Sequence, residues 1–448
     1  MATSHRWAKV AVAALASVGM IVPLAACGSE SGGSDGAGSG ESAASDGPVT
    51  IEWWGADQGQ QEQADLFNKS QDKIKVEYKK MANGDKTEES VVNAVKAGNA
   101  PDLFTANMDS SISLLADGTI QDIAQYKPDL SDLNQNVVDS FKVGDQLAVI
   151  PYKASPQFMI VNQKTFDDNG VTVPTTWDEL IQAGKDLKAK DPDVKILNLA
   201  GEDPSTIVLL AQQFGAKWYS IKGDKWVIDI NGKESKKAVD YLQQVVDDDM
   251  FSRKTFIEWD ALMQFFQSGD LAIIPTSTWQ LSAYQANFQN SLGDWRAYDW
   301  PKESADSDVV SPLNATGNAI PKGAKHPEAA VEFATWLATD DDALRIAADP
   351  DKGSGAFPAV KDPSAFVEGT IPDKLIGDRE GAAKVIEKSA ETVAPYSTGV
   401  NWAPMFKQLT DQWAKFLNKE VTGEQMLDAI QKWTLDDLKQ KGINAEAA

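Results

Sequence analysis

Residues 49–105 read VTIEWWGADQGQQEQADLFNKSQDKIKVEYKKMANGDKTEESVVNAVKAGNAPDLFT, and two hydrophobic periods alternate along them. Val49–Trp54 predicts a buried strand, and Gln60–Asn68 predicts a helix. Ile74, Val76 and Tyr78 alternate with polar residues, as on a strand with one covered face. Glu88–Ala97 returns to the helical period and is ended by Gly98. Leu103–Thr105 is a short apolar run of strand type. Strand and helix in repeated alternation require a parallel-rich sheet covered by helices, so the fold class is α/β.

The same alternation continues outward. Thr176-Trp177-Asp178-Glu179 is a capping box that opens a helix to about Lys188. Tyr219–Ile230 predicts a hairpin turning at Lys222–Lys225. Ser235–Asp247 and Trp259–Gln267 predict amphipathic helices, the second stopped by Gly269. Leu271–Ile274 predicts a strand. Pro327–Ala338 predicts a helix with proline in its first turn. The last stretch predicts helices over Met405–Leu417 and from the capping box at Thr422 to about Lys439. There is no internal repeat. The 448 residues amount to roughly two to three domains of chain.

The N-terminus has a different composition. Met1–Lys9 carries Arg6 and Lys9, Val10–Leu24 is apolar, and Leu24-Ala25-Ala26-Cys27 follows. A basic start, a short apolar run and small residues before a cut site predict a secretory signal over 1–26. The run is too short to span a bilayer comfortably. Cys27, the one cysteine of the chain, resembles the lipidated cysteine of the bacterial lipobox. The alternative is an ordinary cleaved signal followed by an unrelated cysteine. Gly28–Pro48 is Gly, Ser, Ala and acidic residues, a flexible tether that would hold the folded body on the order of 25 Å from its anchor. Removing Arg6 and Lys9 from the 42 basic residues leaves 40 against 66 acidic ones, a net charge of −26. That balance argues against nucleic acid as a partner, which needs clustered basic surface.

The residue inventory narrows the chemistry. His5 leaves with the signal, and His326 sits just before a helix, where a capping role is expected. With Cys27 lipidated, neither a cysteine nucleophile nor a His/Cys metal site is available. There is no glycine-rich phosphate loop. Carboxylates are abundant, so a glycosidase built on two of them stays open. The 14 tryptophans stand out. Trp177, Trp336, Trp413 and Trp433 fall within amphipathic helices and Trp226 on a strand, where core packing is expected. Trp54, Trp279 and Trp402 fall at strand ends or helix starts. In open α/β sheets the ligand crevice lies at the carboxyl ends of the strands.

An ordered set of motifs resembles family 1 of the extracellular solute-binding proteins. Gly98-Asn99-Ala100-Pro101-Asp102-Leu103-Phe104 is similar to that family's GNAPD segment. Asp117–Asp122, Val143–Tyr152 (VGDQLAVIPY), Val161-Asn162 and Val173–Leu180 follow in the family's order. So do Phe266–Ala272 with Ser277-Thr278-Trp279, and Asn318-Ala319-Ile320 with Pro327–Ala330 and Phe333. The resemblance runs from about Val49 to the C-terminus.

It implies a two-lobe fold with a hinge, like that of periplasmic binding proteins, and a ligand held between the lobes. The N-lobe would comprise 49–154 and 315–360, and the C-lobe 155–314 and 361–448. It also implies the lipoprotein component of an ABC importer: a monomer with neither catalytic residues nor a cofactor or metal. It would bind a mono- or oligosaccharide and pass it to the permease's membrane subunits, and touch the membrane only through lipid on Cys27. The ligand residues carried over are Trp54, Asp57, Gln58, Asn107, Asp109, Tyr152, Lys153, Asp203, Ser205, Trp279, Asn314 and Trp402. The three indoles would stack on sugar rings, Asp57, Asn107 and Asp109 would accept hydroxyl hydrogen bonds, and Lys153 would donate. Relatives that bind maltose place an aromatic soon after the Pro-Asp strand. Thr105-Ala106-Asn107 is small and polar, which argues against carrying over a maltose-type ligand. Capture of a peptide or osmolyte, an exported glycosidase and a surface adhesin remain the competing readings.

Overall fold

The structure, a computed structural model, describes residues 47–395 and 398–448. Cys27 and the signal therefore lie outside the described residues. Three parallel strands open the fold: β1 (Val49–Gly55), β2 (Ile74–Lys80) and β3 (Leu103–Asn107). A small hairpin, β4 (Lys142–Val143) and β5 (Gln146–Leu147), follows. β6 (Ile150–Pro156) runs almost directly into β7 (Phe158–Asn162). Next come β8 (Leu197–Asn198), the hairpin β9 (Tyr219–Lys222) and β10 (Lys225–Ile228), β11 (Phe251–Ser252), β12 (Ile273–Thr276) and β13 (Trp295–Tyr298). The chain then continues through β14 (Leu313–Ala319), β15 (Phe357–Pro358) and β16 (Ala445–Ala447).

These strands make two principal sheets. The first has the order β15-β6-β14-β3-β1-β2. The second centres on β7, flanked by antiparallel β12 and β13. It is extended by β8, bridged in parallel to the start of β12 through Lys195 and Leu271, and then by parallel β11. The chain leaves the first sheet at Gln157 and re-enters it at Leu313, where β14 pairs with β6 from Pro156 to Ile150. The antiparallel β6–β14 pair is thus the double crossing between two α/β lobes.

Several buried tryptophans pack within each lobe. Trp53 packs against Phe333 with ring centroids 5.2 Å apart, and its indole N–H donates to Asn318 Oδ1 at 3.1 Å. In the other lobe Trp177 and Trp300 both donate to Gln213 Oε1, at 2.9 and 2.7 Å. Trp413 donates to the Ala200 carbonyl at 2.9 Å. Each of these four buried indoles has its polar handle satisfied, which is what makes burial of so large a side chain stabilising.

Local signals explain where several elements begin. The helix expected from Glu88 starts at Gly84, because the Asn83 side chain accepts from the Lys86 N–H at 2.9 Å and caps it there. The helix Trp177–Lys190 has the capping box its sequence predicts. His326 does occupy the N-cap position of Pro327–Thr339, but its side chain makes no capping bond. The Asp102 carboxylate takes that place, accepting from the N–H groups of Lys325 and His326, both at 2.8 Å.

Candidate functional site

The strand register builds a polar floor. Thr316 on β14 pairs with Asn107 on β3 and with Lys153 on β6, so the three residues form a row across three strands. Two residues along β14, Asn314 pairs with Ser155. Side chains two apart on a strand share a face. Accordingly Asn107 with Thr105, Lys153 with Ser155, and Asn314 with Thr316 all line one cleft. The cleft has a volume of about 850 Å³ including its open mouth.

One end of the floor is a buried polar network. Gln60, only 1 % exposed, lies in the first turn of the helix Gln60–Ser70. Its Oε1 accepts from the Asp57 N–H at 2.9 Å. Its Nε2 donates to Thr105 Oγ1 at 3.0 Å and to the Tyr152 hydroxyl at 3.1 Å. A Cβ at Gly55 would sit 2.3 Å from Gln60 Oε1, so glycine is required for the amide to approach the strand end. The Tyr152 hydroxyl donates to Asp57 Oδ2 at 3.3 Å, and Lys153 Nζ forms an ion pair with the same oxygen. Lys153 Nζ also donates to Ser354 Oγ at 3.1 Å.

This network fixes the charges. Burial pushes the Asp57 carboxyl up, but the Lys153 ammonium and hydrogen bonds from Lys153 and Tyr152 more than reverse this and leave it below its ordinary value. Burial favours neutral Lys153, yet Asp57 beside it holds the lysine above its ordinary value. Tyr152 is pushed up to about 12, chiefly by burial, and remains a phenol donor. At neutral pH the cleft therefore presents a carboxylate and an ammonium side by side.

Trp279 stands opposite, in the first turn of the helix Thr278–Asn287, with 54 % of its surface exposed. The segment before β15 closes the gap. Gly355, at φ +61°, brings its backbone against Thr278 and Trp279, and the Pro350 carbonyl accepts from Ser282 Oγ at 2.9 Å.

Of the twelve residues singled out from sequence, Asp57, Asn107, Lys153, Trp279 and Asn314 line this cleft together. Tyr152 lies directly behind, 1 % exposed, bonded to Asp57. Gln58 donates to the Asp351 carbonyl at 2.7 Å. Asp109 sits in the first turn of the helix Met108–Ala116 and is not among the lining residues. Asp203 accepts from the Ser205 N–H at 3.0 Å, an interaction that opens the helix Ser205–Gln213. Trp54, 7 % exposed, lies under the Lys79 ammonium, 3.9 Å from the ring centroid. Trp402, 2 % exposed, packs among Trp218, Tyr219 and Phe406. Neither indole lines the cleft. Gln60, Thr105, Ser155, Thr316 and Ser354 were not singled out; stepping two residues along each strand from Asn107, Lys153 and Asn314 would have found three of them.

Residues 62–368 match the family described as bacterial extracellular solute-binding protein. A relative from Streptomyces coelicolor, the diacetylchitobiose binding protein DasA, is 24 % identical over 436 residues, covering 94 % of this chain and 93 % of its own. Among solved structures, the galacto-N-biose/lacto-N-biose I-binding protein of Bifidobacterium longum, in complex with lacto-N-biose, superposes with a TM-score of 0.73. It is 19 % identical, and the match covers 90 % of this chain and 100 % of that one. An ABC transporter associated binding protein from B. animalis subsp. lactis, in complex with β-1,6-galactobiose, gives 0.72 at 19 % identity, over 89 % and 100 %.

Proposed function

The chain belongs to the bacterial extracellular solute-binding protein family, and from that premise we propose that it captures a carbohydrate between its lobes and delivers it to an ABC importer. The observation that carries this reading is the pairing of an exposed indole, Trp279, with a floor of short polar side chains across one cleft. A pyranose has an apolar C–H face and a rim of hydroxyls. The indole suits the first and Asn107, Asn314, Thr316, Ser155 and the Asp57–Lys153 pair suit the second. The named ligands of the relatives, diacetylchitobiose, lacto-N-biose and β-1,6-galactobiose, are consistent with it.

Binding proceeds by closure of the two lobes about β6 and β14. The closed form is favoured by contacts that only it can make to both faces of the sugar. The lobes divide as 49–154 with 315–360, and 155–314 with 361–448. The importer's membrane subunits read the closed form. Lipid on Cys27 tethers the protein outside the cell, and the protein acts as a monomer. No bond in the sugar is broken: Asp57 is the one carboxylate among the described residues that line the cleft, and retaining or inverting hydrolysis uses two.

Calorimetric titration with diacetylchitobiose, lacto-N-biose, β-1,6-galactobiose and maltose, beside betaine and a tripeptide as controls, tests the reading. Saturable binding of one or more sugars is expected. Binding confined to betaine or the peptide, or release of monosaccharide, would refute it.

A further inference from the structure

Beside the cleft, one short segment of the first lobe meets a helix of the second. Residues 349–356 follow the helix Asp341–Ala348 and lead into β15, which pairs with β6 of the first sheet. The segment is fastened on that side. The Asp349 carboxylate accepts from the N–H groups of Asp351 and Lys352, at 2.8 and 2.9 Å, and the Asp349 carbonyl accepts from those of Gly353 and Gly355, at 3.0 and 3.2 Å. The Ala347 carbonyl accepts from the N–H groups of Ser354 and Ala356, at 3.2 and 3.0 Å. Gln58 and Lys153 add side-chain bonds to the Asp351 carbonyl and to Ser354 Oγ. With its backbone tied in this way the segment is a firm shelf rather than a loose flap. What rests on the shelf comes from the other lobe. The helix Thr278–Asn287 follows β12 of the second sheet and carries Trp279. Ser282, three residues further on, shares a helix face with Trp279. Its hydroxyl donates to the Pro350 carbonyl at 2.9 Å, and a Cβ at Gly355 would stand 3.4 Å from the Thr278 carbonyl and 3.6 Å from the Trp279 Cα. Ser282 is not among the residues that line the cleft, so its bond to Pro350 is a contact between lobes that does not depend on a ligand.

We propose that Ser282 and the shelf 349–356 form a latch that holds the lobes partly closed before a ligand arrives and sets the height of Trp279 over the polar floor. This rests on the lobe closure proposed above and not on which sugar enters. Opening about β6 and β14 parts the Ser282 hydroxyl from the Pro350 carbonyl and lifts the first turn of the Trp279 helix off Gly355. The closed form is thus favoured by contacts of the chain with itself, and an arriving ligand meets a larger closed population. Apparent affinity scales with that population. The latch therefore strengthens every ligand by one common factor and leaves their order of preference unaltered. Ser282 is a positioning residue, and the choice among ligands stays with the residues of the cleft.

Ser282→Ala and Ser282→Val remove the donor, and Ser282→Thr keeps it. Small-angle scattering of the ligand-free full chain is expected to give a larger radius of gyration for Ser282→Ala and Ser282→Val than for the unaltered protein and Ser282→Thr. Calorimetry with diacetylchitobiose, lacto-N-biose, β-1,6-galactobiose and maltose is expected to show every sugar that binds weakened by the same factor, roughly 2- to 10-fold, in the two variants without the donor. Ser282→Thr should restore the affinity. Identical scattering from all four proteins would overturn the latch. So would a lower melting temperature with shape and affinity unchanged, which is what a packing role alone would give. A weakening that differs from sugar to sugar would overturn it too, by placing Ser282 on the ligand. If no sugar binds and the two variants without the donor still scatter as more open, the latch stands and the carbohydrate reading falls.

Discussion

Lys153 Nζ and the Asp57 carboxylate form an ion pair at the inner end of the cleft. The lysine side chain is 10 % exposed and the aspartate 34 %. This asymmetry means that the two members do not respond alike to removal of the partner, since the more buried charge has less recourse to water.

Asp57→Asn strands the ammonium, whereas Lys153→Met leaves a carboxylate that water can still reach. Asp57→Asn is expected to lower stability by about 1–3 kcal/mol, below the full value for a buried pair because the aspartate is partly solvated. Lys153→Met is expected to cost about 0–1 kcal/mol. Combining the two should recover most of the Asp57→Asn loss. Chemical denaturation of the four proteins gives the cycle. Equal losses in the two single variants would show that the pair is effectively at the surface.

The same pair sets the pH response. Asp57 is held below its ordinary 3.8 in the fold, so its contribution is fully present above that value and is lost as pH falls through the lower folded value. Lys153 is held above its ordinary 10.5, so its contribution is present below 10.5 and is lost only as pH rises through the higher folded value. Between these limits, stability and ligand affinity owe no slope to this pair. Thermal melts and titrations from pH 4.5 to 9, about the range clear of both transitions, should show none that Asp57→Asn removes. Such a slope within that window would contradict the assigned charge states.

Trp279 and Trp402 separate binding from packing. Trp279→Ala removes an exposed indole and is expected to weaken ligand binding roughly 3- to 30-fold with little change in melting temperature. Trp402→Ala opens a cavity among Trp218, Tyr219 and Phe406 and is expected to lower stability by about 3–5 kcal/mol. Melting curves and sugar titrations of both variants check this. A Trp402→Ala protein that melts normally but fails to bind would place that indole on the ligand.

This contrast marks how far the sequence is legible. Period and capping signals sufficed for β1, for the helix Gln60–Ser70 and for the capping boxes at Thr176 and Thr422, because those depend on neighbours within about one turn. The polar floor was partly legible: Asp57, Asn107, Lys153 and Asn314 follow or lie on strands at motif positions. Trp54, Trp279 and Trp402 look alike in sequence, each at the margin of an element. Their burial differs because of partners far along the chain, such as Trp218 and Tyr219 for Trp402, and no local pattern carries that information. Gln60 was hidden for the opposite reason. A glutamine in the first turn of an amphipathic helix normally faces water, and only the register of β1, β3 and β6 brings acceptors and donors around it.

Gln60→Leu keeps the approximate volume and removes every polar contact at the centre of the network. The Asp57 N–H, the Thr105 hydroxyl and the Tyr152 hydroxyl each lose a partner. Thr105 is 7 % exposed and Tyr152 1 %, so water compensates poorly, and a loss of about 2 kcal/mol is expected. Ligand affinity should fall as well, because the Gln60 amide fixes the backbone that presents Asp57 and shares its Tyr152 contact. The signature is a joint drop in melting temperature and affinity, unlike Trp279→Ala, which moves affinity alone. If Gln60→Leu lowers stability while the sugar still binds at full strength, the Asp57 carboxylate is positioned by Lys153 and Tyr152 without help from the amide.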